Sequence, residues 1–160
     1  MTKIFSMRKL LTIKLLSFIF LFQIYPQNKK ISYNEKIAFE SAVELYVDEK
    51  YEFAQEQFRD FVFIYKDSVL TTTAYEYLAK TYIKLQFFEY AIKSYLKLIQ
   101  LNMQLEHGLK FRFDLARLYL ITGQPNHAKK LWQQIIQINP QSPLAHKSRL
   151  QLKLLLILRE

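Results

Sequence analysis

Apolar and small side chains recur along this chain at a spacing of 37 residues. Sliding the sequence by that step superposes Ala54, Ala91 and Ala128, then Phe58, Tyr95 and Trp132, then Phe61, Leu98 and Ile135. The stretch before each of these agrees: Ala42, Ala79 and Ala116 align, followed three residues later by Leu45, Tyr82 and Tyr119, and the units end on Ile64, Leu101 and Ile138. Self-similarity in the range of about 20 to 50 residues marks a stacked repeat, in which each unit covers its neighbour's apolar face. Within a unit the apolar positions fall at steps of three and four, as in Ala54, Phe58, Phe61, Val62 and Tyr65, which is one face of an amphipathic helix.

The pattern predicts two helices per unit. Ser32 and Glu35 form a capping box that opens a helix from about Tyr33 to Asp48, and a second runs from about Tyr51 to Lys66. Ser68 is the expected cap of the next unit, with helices from about Val69 to Leu85 and Phe88 to Leu101. The third unit spans about Leu105 to Ile121 and Pro125 to Ile138. There Gly123 supplies a turn, Pro125 a first helical position and Pro140 a stop. Ser142 and Pro143 open a last helix to about Leu158. The units are therefore about 33–67, 69–104 and 105–141, followed by a C-terminal helix 143–158, in a repeat domain of 32–158.

Composition is consistent with helices. Two glycines and four prolines in 160 residues leave little for sheets joined by tight turns, and 51% hydrophobic content supplies a core. The absence of cysteine removes disulfides, thiolate metal sites and a lipid-bearing N-terminal cysteine.

Residues 1–26 differ from the rest. Lys3, Arg8, Lys9 and Lys14 precede a nearly unbroken apolar run from Leu15 to Tyr25, with no acidic residue, in the manner of a secretory signal. No pair of small residues marks a cleavage site before Gln27, so retention as an N-terminal membrane anchor stands beside export. The leader holds four of the 23 basic residues, which lowers the net charge from +9 to +5 for the remainder. Because Lys and Arg are interleaved with Glu and Asp along the helices, no basic face for nucleic acid is expected.

These residues resemble the tetratricopeptide repeat. The third unit matches through Leu115, Ala116, Tyr119, Gly123, Ala128, Trp132 and Pro140. The second matches through Leu78, Ala79, Tyr82, Phe88, Ala91 and Tyr95, and the first through Ala42, Leu45, Tyr51, Ala54 and Phe58. The resemblance covers about Glu35 to Pro140. It implies an all-α fold, a right-handed α-solenoid of antiparallel helix pairs with three repeats plus a C-terminal helix. The family's turn glycine is replaced by Glu49 and Gln86, which leaves room for the first two turns to differ from the third. A narrower similarity, in Tyr65–Leu70 and Asn139–Leu144, is to bacterial outer-membrane assembly lipoproteins and the accessory protein of the Tol-Pal system.

The resemblance also implies a concave groove lined by the first helix of each pair. The candidate groove residues are Phe39, Tyr46, Glu76, Tyr77, Lys80, Lys84, Lys110, Phe113 and Arg117, with Glu40, Val43, Thr73 and Asp114 beside them. Rings among Lys and Arg suit a peptide bearing acidic groups. The competing reading is that Glu76 with Lys80, and Asp114 with Arg117, are same-helix pairs that solvate the face. Val43, Lys80 and Arg117 stand where clamps for a C-terminal carboxylate use asparagine, which argues against that role.

No catalytic motif, metal site or cofactor site is expected, and His107, His127 and His146 fall at unmatched positions. The function expected is a non-catalytic protein-binding scaffold of the cell envelope, exported and periplasmic. The alternative is a membrane-tethered subunit assembled through its N-terminus and the apolar last helix. That helix, leucine-rich nearly all round, either docks on the third repeat or also self-associates through Leu150, Leu154, Ile157 and Leu158.

Overall fold

The structure, a computed structural model, describes residues 30–102 and 106–157. The leader expected at residues 1–26, the expected start of the third repeat at Leu105 and the contact expected of Leu158 lie outside the described residues. Among the described residues seven helices follow in order: α1 (Tyr33–Val47), α2 (Tyr51–Ile64), α3 (Thr71–Lys84), α4 (Phe88–Leu101), α5 (Glu106–Ile121), α6 (Pro125–Ile138) and α7 (Pro143–Ile157). Each packs on the next, and α1 also touches α3, as α5 touches α7. The chain is thus an all-helical α-solenoid of three antiparallel pairs and a last helix, as the 37-residue period predicts.

The helix starts follow from local chemistry. The Ser32 hydroxyl accepts the Glu35 N–H and the Glu35 carboxylate accepts the Ser32 N–H, closing the capping box on α1. Pro125 is the first residue of α6, where its missing N–H is no loss. The Ser142 hydroxyl accepts the Ala145 N–H at 3.0 Å and starts α7. Ser68 corrects the expectation placed on it. Its hydroxyl donates to the Glu35 carboxylate and accepts the Leu70 N–H at 2.9 Å, so it ties the inter-repeat turn back to α1. With Ser68 engaged there, α3 starts later, at Thr71, without a side-chain cap.

The turns within the pairs are alike. Glu49, Gln86 and Gly123 have φ of 61°, 61° and 72°. In each, the following N–H reaches five residues back: Lys50 to Leu45 (2.9 Å), Phe87 to Tyr82 (2.8 Å) and Gln124 to Tyr119 (2.6 Å). Those bonds, with the shorter ones from Glu49, Gln86 and Gly123, make the same Schellman ending three times. The room left for differing turns is therefore not used: satisfying the last helix carbonyls outweighs the left-handed strain, about 1–2 kcal/mol, on Glu49 and Gln86.

The core repeats as well. Ala42, Ala54, Ala79, Ala91, Ala116 and Ala128 are wholly buried and let the paired helices approach closely. Phe58, Tyr95 and Trp132 fill the equivalent interior site in the three repeats. One apolar cluster runs from α1 to α5, and a second, around Trp132, joins α5, α6 and α7.

Candidate functional site

The groove assigned from the sequence lies along the first helices of the pairs, α1, α3 and α5. At its α1 end the candidate rings are partly sunk into the core. Phe39 meets Phe58, Phe61 and Tyr77 edge-on at 5.5–6.2 Å, and Tyr46 meets Tyr51 and Tyr77 at 5.2–5.6 Å. Tyr77 lies flat on Phe58, with ring centres 5.3 Å apart. Phe113 is likewise half-buried, 6.4 Å from Trp132. The rings expected to be exposed therefore weld α1 and α3 to α2, and present only part of their area outward. Edge-to-face and offset ring pairs of this kind contribute about 0.5–1.5 kcal/mol each beyond area burial.

The middle of the row is ionic. Glu76 on α3 receives Lys80 at 2.9 Å from the next turn and Lys110 at 2.6 Å from α5. Lys110 also reaches Asp114 at 3.6 Å. Among the described residues α3 and α5 make no close backbone approach of the kind that joins α1 to α3, so this pair spans the gap between two repeats. One same-helix pair expected from the sequence, Glu76 with Lys80, forms. Asp114 instead pairs with Lys110, because one helical turn toward the N-terminus brings it to the cation that α3 also engages.

The protonation states follow from this geometry. Burial alone would push the Glu76 carboxyl up, but hydrogen bonds from Lys110 and Lys80, with their charges, outweigh it and hold it below the ordinary glutamate range. Burial would lower Lys110, yet its bond to Glu76 and the Asp114 charge raise it. Beneath the network Tyr95 is buried, and that burial, with the Asp114 and Glu76 charges, pushes its hydroxyl well above the usual tyrosine value. The two shifts keep Glu76 as a carboxylate and Lys110 as an ammonium ion, so the pair is a fixed charge array.

Two candidate cations remain outside the network. Lys84, exposed at the end of α3, sits 5.6 Å over the Tyr51 ring, and exposed Arg117 on α5 takes no ion pair among the described residues. Both are available to an incoming carboxylate.

Sequence reasoning stopped the groove at α5. The same step of 37 residues carries Phe113, Arg117 and Leu120 onto Leu150, Leu154 and Ile157 of α7, and these three are 50, 50 and 59% exposed, respectively. The row thus runs from aromatic at α1 through charged at α3 and α5 to aliphatic at α7. The repeat period itself was the signal that could have found them. Leu144, Leu152 and Leu155 of the same helix pack instead against the Trp132 cluster, so α7 docks on the third repeat and keeps further leucines exposed.

Among the described residues no three His, Asp or Glu side chains come together to hold a metal ion, and no helix is long and apolar enough to cross a membrane. His127 stacks on Tyr119 at 5.0 Å, a packing contact between α6 and α5.

No protein-family profile and no curated protein matches this sequence. Solved structures do match. The type III secretion chaperone SycD of Yersinia enterocolitica, in complex with a peptide of the translocator YopD, is similar with a TM-score of 0.66 at 18% identity. The match covers 83% of this chain and 100% of that one. PcrH in complex with the chaperone-binding region of PopD gives 0.64 at 16% identity, over 84% and 100% of the two chains. The tetratricopeptide domain of Arabidopsis OM64 gives 0.58 at 13% identity, over 74% and 93%. At such identities the likeness is one of fold: a tetratricopeptide-type helical repeat.

Proposed function

We propose that this chain is an exported, non-catalytic scaffold of the bacterial cell envelope that binds a peptide or protein along the row formed by α1, α3, α5 and α7. The observation that carries the reading is the row's gradation. Partly buried rings at α1, a fixed charge array with free Lys84 and Arg117 at α3 and α5, and exposed Leu150, Leu154 and Ile157 at α7 make a strip matched to an amphipathic segment with acidic groups. Glu76 is already neutralised by two lysines, so the net attraction along the strip is for anions. SycD and PcrH, which share the fold, are seen with segments of the proteins YopD, PopB and PopD, and a comparable use of the fold supports this reading. Export rests on the basic and apolar pattern of residues 1–25.

Because Tyr77 stacks on Phe58, truncating it would damage the core, and the informative variant is Lys80→Glu with Arg117→Glu. Crosslinking and capture from intact cells is expected to lose a specific partner in this variant while helicity and melting are unchanged. Retention of the same partner at full yield would reject the groove. A second reading, a tethered subunit assembling through α7, draws on the exposed leucines of that helix. N-terminal sequencing of the protein from cells separates the two: a start near Gln27 or Asn28 removes the tether, and an intact leader favours it.

A further inference from the structure

The helix α7 is the first half of a fourth repeat. A step of 37 residues places Leu152, Leu155 and Leu156 on Leu115, Leu118 and Tyr119 of α5, and on Leu78, Thr81 and Tyr82 of α3. In the complete repeats these positions are covered by the second helix of the pair. Leu115 and Leu118 are buried, Tyr119 stacks on His127 of α6, and Tyr82 stacks on Tyr90 of α4 at 5.3 Å. In α7 the last of them, Leu156, is 63% exposed. Beside it lies a cleft of about 210 Å³, walled by Leu152, Leu155 and Leu156 on one side and by Pro125, Lys129 and Gln133 of α6 on the other. One repeat earlier the corresponding residues are Phe88, Ile92 and Leu96 of α4 and Leu115, Leu118 and Tyr119 of α5, and it is the α5 set that α6 covers. The cleft therefore lies at the register that a second helix occupies in the complete repeats.

Charge selects the occupant. From Gly123 to Arg159 the sequence holds six Lys and Arg, and the first acidic residue after Gly123 is Glu160; Lys129 lines the cleft while Lys153 is exposed on α7. A second copy docked through the same end would bring these cations together, which disfavours a symmetric pair. The apolar walls call for side chains rather than a bare anion. We infer that this cleft docks an acidic amphipathic α-helix of a partner protein, at a surface separate from the groove. The helix should carry a small residue followed three and seven positions later by apolar ones, as α6 does with Ala128, Leu131 and Ile135.

The probe is a hydrocarbon-stapled peptide of the α6 sequence, Pro125–Ile138, with Lys129→Glu and Lys130→Glu in the peptide. Fluorescence anisotropy with the full chain is expected to show saturable one-to-one binding, about tenfold or more tighter than for the lysine-bearing parent peptide. Leu156→Asp in the protein should weaken it about tenfold or more. Lys129→Glu should erase the preference for the acidic peptide. Leu156 and Lys129 are both surface positions, so folding is checked by circular dichroism and Lys80→Glu with Arg117→Glu serves as the groove control, expected to leave binding unchanged. Absence of binding, binding indifferent to Leu156→Asp, or loss in the groove control would each overturn the inference. So would a dimer of the full chain that Leu156→Asp dissolves in the absence of peptide, since the occupant would then be a second copy.

Discussion

Glu49 and Gln86 carry left-handed backbone conformations that only Gly123 adopts without strain. All three are exposed turn residues, and among the described residues the Glu49 and Gln86 side chains make no hydrogen bond or ion pair that would offset the strain. Replacing Glu49 or Gln86 by glycine is therefore expected to raise stability by about 0.5–1 kcal/mol each, the relief of strain less the entropy of a freer unfolded chain. The urea midpoint should rise with an unchanged slope, and a fall in midpoint would show that these side chains hold something else. The buried Gly108 follows a different rule. A Cβ there would stand 2.2 Å from the Asn102 carbonyl oxygen, so close approach of the end of α4 to α5, rather than dihedral freedom, requires glycine.

At the scale of the element, two serines of opposite value bear on α7, one ahead of it and one within it. Ser142 caps the helix, and Ser142→Ala should cost about 1 kcal/mol, with faster amide exchange confined to the first turns of α7. Ser148 is wholly buried, and its hydroxyl has no hydrogen-bond partner among the described residues, at a position where α3 carries Ala74. Ser148→Ala is thus expected to raise the melting temperature, because it removes an unsatisfied buried hydroxyl at little change in volume. A lower melting temperature would mean that the hydroxyl has a partner, such as an internal water. The aromatic positions teach a related lesson: Phe39, Tyr46 and Tyr77 belong to α1 and α3 by sequence, yet their rings stabilise the junction with α2.

Across the whole molecule, the Glu76–Lys110 pair is the polar link between the second and third repeats, and its contribution has a defined pH window. Glu76 is depressed, so its share of stability is present above the ordinary carboxylate value of 4.5 and is lost as pH falls through the lower folded value. Lys110 is raised, so its share is present below 10.5 and is lost as pH rises through the higher folded value. Between these limits the two repeats are coupled, and Glu76→Gln should lower neutral-pH stability and flatten its acid decline. An acid limb identical to the parent's would show that other carboxylates control it. Partial exposure of both side chains keeps the effect modest.

How much of this was legible in the sequence follows from the range of each interaction. Helix order, the second-helix boundaries at Phe88–Leu101 and Pro125–Ile138, the capping box and the buried alanines were all readable, because they depend on residues three or four apart repeated every 37. The stacking of the units was readable too, since one repeat cannot bury its own apolar face. Which groove residues stand free was not. Sequence places Glu76, Lys80 and Lys110 on the right helices, but the pairing of Glu76 with Lys110, 34 residues away, depends on how far α3 and α5 stand apart. The duty of Ser68 toward Glu35 and the half-burial of Tyr77 were hidden for the same reason. Local periodicity by itself determined the elements and the fold class; the spacing between helices, which only packing of the whole chain sets, decided which side chains became core, which paired, and which were left for a partner.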